Sequence, residues 1–248
     1  MIVGGVPLLL SSAPAGSVAE YSGLFVRSES DQFTASSFGT ATNQDIGAIS
    51  FFVKRNSISS LQIVASGVIS SGSTEKYSAF MAGNTFRAFY NGATTQGFGS
   101  SETLTDTTEW HHILAHHNSS LATAADRVKV WLDGTELTNT LTPPALNENI
   151  YFGDVTAAIG DLASIAGAYE LDAKISEFHF IDGSTPPVSD FAVDSGGGAY
   201  FPIEYTGSYG NNGFYLAFTN SGSLGEDTSG NTNNWTNSGV SQSTDIPE

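Results

Sequence analysis

"DRVKVWLDG", residues 126–134, decides the fold class. Val128, Val130 and Leu132 alternate with Arg127, Lys129 and Trp131, and successive side chains of an extended strand point to opposite faces. The stretch therefore predicts a half-buried strand with an apolar inner side and an outer side that carries Trp131. Asp133-Gly134 supplies the positive-φ position of a tight turn, and "TELTN" (135–139) returns as the partner strand.

The same grammar extends in both directions. "GLFVRS" (23–28), "AISFFVKR" (48–55), "LQIVASG" (61–67), "KYSAFMA" (76–82) and "TFRAFYNG" (85–92) precede it. "WHHILAHH" (110–117), "DVTAAIGD" (154–161) and "AKISEFHFIDG" (173–183) complete the set, with Pro186-Pro187 ending the pattern. Each is a short run bounded by Gly, Asn, Asp or Ser, the signature of strands and turns. No amphipathic segment of ten or more residues marks a helix. Short strands without helical crossovers predict an all-β antiparallel sandwich.

Residues 1–20 carry Pro7 and Pro14 and no periodicity. They read as an apolar arm, with Ile2, Val3, Val6, Leu8, Leu9 and Leu10 as its anchoring side chains. The arm lacks a basic region before its apolar run, which Gly4, Gly5 and Pro7 interrupt, so it does not read as a leader. It is also too short to span a bilayer. Either its own domain or a neighbouring subunit would cover it. Residues 21–193 form the main domain. "DSGGGAY" (194–200) looks like a boundary, and residues 194–248 read as a Gly- and Asn-rich extension packing on the sandwich or on a partner. Some fifty residues without cysteine are too few for an independent domain.

Composition narrows the function. Eight Lys and Arg stand against 25 Asp and Glu, a formal net charge of −17. Nucleic acid requires a cluster of cations to neutralise its phosphates, and an anionic membrane surface requires the same; both are set aside. An acidic surface suits calcium or neutral glycans better. With no cysteine, disulfides, thiolate metal sites and thiol nucleophiles are excluded.

"EWHHILAHHN" (109–118) holds four of the five histidines. On a strand His112 and His116 share a face about 13 Å apart, and His111 and His117 share the other about 20 Å apart. Zinc requires each imidazole within about 2.1 Å, so no two of them can hold one ion on an unbroken strand. His179, between Phe178 and Phe180, is expected on the face opposite those rings. Alternation thus disperses imidazoles and acids instead of gathering them.

Four stretches, "SFFVKR" (50–55), "EWHHILAHHN" (109–118), "DRVKVWLDGTEL" (126–137) and "KISEFHFIDG" (174–183), together resemble the concanavalin A-like, LamG-type jelly roll. Trp110 and His112 match the Trp-x-His start of its central strand, and Asp133-Gly134 matches its hairpin turn. The chain is more similar still to LamG-like proteins of tailed bacteriophages, in which a "HFIDG" strand precedes segments like "EYTGSYGNNGFYLAF" (204–218) and "DTSGNTNNWT" (227–236). Leu171-Asp172-Ala173 departs from the aromatic-Asp-Gly of those relatives. The resemblance implies a non-enzymatic virion component: a fibre, an appendage or a head-decoration protein on the virion surface, assembled in the bacterial cytoplasm. It would be a homo-oligomer among other virion subunits and would contact host-surface polysaccharide.

A glycoside hydrolase would need paired carboxylates flanking the scissile bond. In "ELDAKISE" (170–177) Glu170 and Asp172 share a face, whereas Glu177 falls on the other unless a bulge intervenes. The expectation is therefore not an enzyme. For calcium, "DTSGNTNN" offers Asp227, Asn231 and Asn233, and rim loops offer Asp154 and Asp161; the competing reading is that these side chains build Asx turns. For a glycan, the candidates are Trp131 and the pair Tyr90 and Asn91.

Overall fold

Asp133 and Gly134 both take positive φ, 45° and 71°, which matches the right-handed twist of the strands they join. The turn links β9 (Val128–Leu132) to β10 (Thr135–Glu136) through the pair Leu132↔Thr135. This hairpin edges one of two large antiparallel sheets in the computed structural model, which describes residues 18–58, 61–68, 77–90, 93–150, 152, 156–164, 167 and 169–248. The anchoring residues Ile2, Val3, Val6, Leu8, Leu9 and Leu10, and also Asn91 and Asp154, lie outside the described residues.

The remaining strands of the N-terminal half are β1 (Ser22–Phe25), β2 (Gln32–Ala35), β3 (Ile46–Arg55) and β4 (Leu61–Val68), then β5 (Tyr77–Ala82), β6 (Thr85–Tyr90), β7 (Ala93–Gly99) and β8 (His111–Asn118). Later come β11 (Thr156–Ile159), β12 (Ala173–Asp182), β13 (Ala192–Asp194) and β14 (Tyr200–Pro202). β15 (Phe214–Leu216), β16 (Thr236–Ser238) and β17 (Ser241–Ser243) end the chain. One sheet runs β10-β9-β8-β3-β12-β1-β17, with β15 also on β12; the other runs β16-β2-β11-β4-β5-β6-β7. The expected antiparallel sandwich is the observed fold.

Its core lies between the sheets. Ile49, Phe51 and Val53 of β3 and Ile113 and Ala115 of β8 meet Val64, Phe86 and Phe98 of the opposing sheet in one continuous apolar cluster. The outer side of the first sheet is covered as well. Ala48, Leu114, Ile181 and Phe191 form a second cluster there, flanked by Trp131, Val188, Tyr205 and Tyr209. A strand buried on both faces carries apolar residues at successive positions, which is why β3 reads "ISFFV" instead of alternating cleanly.

The chain after residue 194 is woven into this frame. "DSGGGAY" forms the loop of the β13–β14 hairpin, where the Asp194 carboxylate accepts the amides of Gly196 and Gly198. β15 pairs with β12, β16 with β2 and β17 with β1, so this segment adds strands to both main sheets.

Candidate functional site

β12 begins with Ala173 and Ile175 in the core and ends with Phe178 and Phe180 in the core. The inward positions switch from odd to even numbers, which a regular strand cannot do. A β-bulge makes the switch: Ser176 pairs with Phe52 and His179 with Ser50, so Glu177 and Phe178 both oppose the single residue Phe51. Glu177 absorbs the distortion at φ 51°, a left-handed conformation uncommon for a residue with a side chain. The bulge thereby puts Glu177 on the outer side, next to His179.

There both residues meet the segment that crosses the sheet. A cleft of about 280 Å³ is lined by Glu177, His179, Glu204, Tyr205, Tyr209 and Tyr215, with Val18, Thr228 and Ser229 among its other walls. The His179 ring stacks on Tyr215 at 4.2 Å between centroids and 6° between planes, and its Nδ1 lies 2.8 Å from the Tyr209 hydroxyl. Tyr205 meets Tyr209 nearly at right angles, 85° at 5.1 Å. The Tyr215 hydroxyl donates a short hydrogen bond to Glu177 Oε2. Among the described residues no Lys or Arg lines the cleft.

Burial sets the protonation states. Glu177 is 2 % exposed; loss of solvent pushes its carboxyl up to about 7, the Tyr215 hydrogen bond opposes this, and nearby Glu20 adds to it. Enclosure lowers His179 to about 3, with His112 contributing, so the ring is neutral. Burial raises the hydroxyls of Tyr209 and Tyr215, and the negative charge of Glu177 reinforces this. A buried, upshifted carboxyl in a cleft with a second acid is the arrangement that marks functional sites.

The expectation that alternation disperses every imidazole and acid is therefore corrected for Glu177 and His179, which the bulge gathers with Glu204. The other four imidazoles do go separate ways. His111 Nδ1 meets Asp133 Oδ2 at 2.6 Å, His112 Nε2 meets Ser50 Oγ at 2.8 Å, and His116 Nε2 and His117 Nε2 meet the carbonyls of Pro186 and Glu148. The Ser50–His112 pair resembles a nucleophile with its base, but both residues are sealed off at 1 % and 0 % exposure. Glu170 accepts from the Ser30 hydroxyl and Asp172 from the Asn56 amide, away from Glu177.

Asp227, Asn231 and Asn233 do come together, as builders of a loop. The Asp227 carboxylate accepts the amides of Tyr215, Ser229 and Asn233. The side-chain amides of Asn231 and Asn233 donate to the Gly213 carbonyl. Calcium is held by oxygen ligands, whereas these asparagines turn nitrogen toward their neighbours. Asp161 sits in a different loop, where it accepts the amides of Leu162, Gly167 and Tyr169. Among the described residues no group of three His, Cys, Asp or Glu side chains is placed to hold a metal ion. Trp131 is on the outer side, edge-on to His116 at 4.6 Å and packed in the second cluster. Tyr90 ends β6, and its side chain is outside the described residues. Of the cleft residues the sequence reading weighs Glu177 and His179 but sets them apart; Glu204, Tyr205, Tyr209 and Tyr215 escape it, although all four fall in "EYTGSYGNNGFY" (204–215).

No protein-family model matches the chain, and no curated relative does. Solved structures are similar to it. A heptameric SAP-like pentraxin from Limulus polyphemus is 10 % identical over 68 % of this chain and 78 % of that one, with a TM-score of 0.53. Domains LG4-5 of the mouse laminin alpha1 chain are 15 % identical over 77 % and 48 %, TM-score 0.44. Trypanosoma rangeli sialidase is 12 % identical over 59 % and 22 %, TM-score 0.41. The chain thus spans less than two thirds of the laminin pair and of the sialidase. The fold is that of a concanavalin A-like jelly roll. Among the described residues no helix is long and apolar enough to cross a membrane.

Proposed function

We propose that the chain is a non-catalytic, glycan-binding jelly-roll subunit on the surface of a phage particle, acting in host attachment or in decoration of the shell. The observation that carries this reading is where three stretches meet. "EFHFID" of β12, "EYTGSYGNNGFY" and "DTSGN", the segments that resemble phage LamG-like proteins, converge on the Glu177–His179–Tyr205–Tyr209–Tyr215 cleft. Tyrosine rings with carboxyl acceptors beside them suit a sugar, whose apolar face packs on a ring while its hydroxyls donate. A cleft of about 280 Å³ is near the lower end of small-molecule sites and suits one sugar unit. The arm holds the subunit in a homo-oligomer or against other virion proteins.

Binding of the full chain to host polysaccharide, with and without Tyr205→Ala, tests the site. The substitution should cost at least fivefold in affinity while leaving the melt cooperative, though lowered by loss of its packing on Phe191; unchanged binding would move the glycan elsewhere. Deleting residues 1–20 should abolish incorporation into particles. A variant that keeps its oligomeric state and its glycan binding unchanged would favour a free lectin.

A second reading draws on Glu177 itself. A carboxyl raised to about 7 in the same cleft as Glu204 has the character of a glycosidase acid. Reducing ends released from polysaccharide by the wild type and not by Glu177→Gln would replace the binding reading with hydrolysis.

A further inference from the structure

We infer that the cleft takes a sugar bearing a protonated primary amine, with the ammonium seated against Glu177 and facing Glu204. This rests on the glycan reading above and names the class of glycan.

The charge around the cleft is one-sided. Glu177 and Glu204 line it, Glu20 acts on Glu177 from the chain that enters β1, and no Lys or Arg lines it among the described residues. His179 is neutral, and the three tyrosine hydroxyls carry no charge at neutral pH. Among the described residues a single donor, the Tyr215 hydroxyl, reaches the Glu177 carboxyl, and only at Oε2. A buried carboxyl is normally ionised only when paired with a cation; this one faces a cavity without one and keeps its proton to about 7. An ammonium entering there stabilises the ionised form, whose proton leaves to solvent, through charge-assisted hydrogen bonds. A uronic or sialic acid would bring a carboxylate against two others. An N-acetylated sugar loses the charge and adds bulk. The left-handed backbone at Glu177 belongs to the same device, because without the bulge the carboxyl would point into the apolar core.

Binding follows from calorimetry of the full chain at pH 6.5 with glucosamine, N-acetylglucosamine and galacturonate. Glucosamine should bind at least tenfold more tightly than N-acetylglucosamine, and galacturonate should give no heat. Glu177→Gln should remove the preference for the amine. If that variant does not fold, Glu177→Gly accepts the positive φ and serves the same purpose. Equal affinity for the amine and the acetamide, or a preference that survives loss of the carboxyl, would overturn the inference and leave the glycan reading standing. Failure of all three sugars to bind would bring down both.

Discussion

His112, His117 and His179 fold as neutral imidazoles: burial lowers them to about 4, 4 and 3. Unfolding releases rings that titrate near 6.5, so below that pH the unfolded chain binds protons that the folded chain refuses. Stability from these groups is complete above pH 6.5 and is lost as the pH falls toward 4. At about 1.4 kcal/mol per unit, each ring carries on the order of 3 kcal/mol across that window, and three suffice to unfold an ordinary domain. Thermal melts should therefore drop steeply between pH 6.5 and 4. Glu177 has the opposite sign. Its folded value of about 7 lies above that of a free carboxyl, so its contribution is full at acid pH and is lost as the pH rises through 7. Glu177→Gln should raise the melting temperature at pH 8 and leave it unchanged near pH 4, as paired melts would show. Asp245 works through another balance. Lys54 and Lys174 are direct cross-strand partners of like charge, a destabilising pair; the Asp245 carboxylate accepts from both ammonium groups and from the Trp110 indole. It is about one-third exposed, so solvent screens the network and Asp245→Ala should cost only about 1 kcal/mol. That corresponds to about 2–4 °C in melting temperature for a chain of this size, and the loss should shrink in 0.5 M salt.

At the scale of elements the bulge in β12 is the feature with consequences. Deleting Glu177 leaves Ile175 inward, Ser176 outward, Phe178 inward and His179 outward, a regular alternation with the same core. The deletion variant should keep a strand spectrum and a cooperative melt while losing ligand binding. Deleting Ile113 from the unbulged β8 shifts the faces of every residue beyond it and should abolish folding; circular dichroism of the two variants separates the cases. The bulge is only partly legible in the sequence. In "ISEFHFI" the polar pair Ser176-Glu177 between the inward Ile175 and Phe178 marks the slip, but Ile181 is apolar on the outer side as well, so both parities carry apolar residues and polarity alone does not fix the register. By contrast Val128-Lys129-Val130 and Asp133-Gly134 were legible, since one side of β9 meets the core and the turn needs positive φ. β16 and β17, three residues each of Ser, Thr, Asn and Gln, carry no apolar pattern at all; long-range pairing alone makes them strands.

The cleft became visible only at the scale of the whole molecule, because it joins β12 to residues from about 25 to 50 positions later in the chain. The same interweaving governs stability. β16 and β17 are consecutive in the chain, yet β16 pairs with β2 in one sheet and β17 with β1 in the other. The crossing occurs at Gly239, where φ is 87° and an added Cβ would lie 1.9 Å from Asp31 Oδ1. The β16–β17 connection therefore ties the two sheets together at their edge, and Gly239→Ala would strain the backbone and push against the buried Asp31 side chain. Inside the sandwich, Phe214, Leu216, Phe218 and Trp235 from the same terminal segment are core residues, each no more than 5 % exposed. Removing them would leave cavities and uncover strand edges, and truncating one large buried side chain already costs about 2–5 kcal/mol. A chain ending at residue 193 should therefore fail to melt cooperatively and should expose apolar surface to a dye such as ANS. Were residues 194–248 only an appendage, the truncated chain would keep a sharp transition within a few degrees of the full-length protein, and denaturant unfolding of the intact chain would resolve two steps. A single step whose denaturant dependence scales with the whole chain is the expected result, because the last strands complete both sheets.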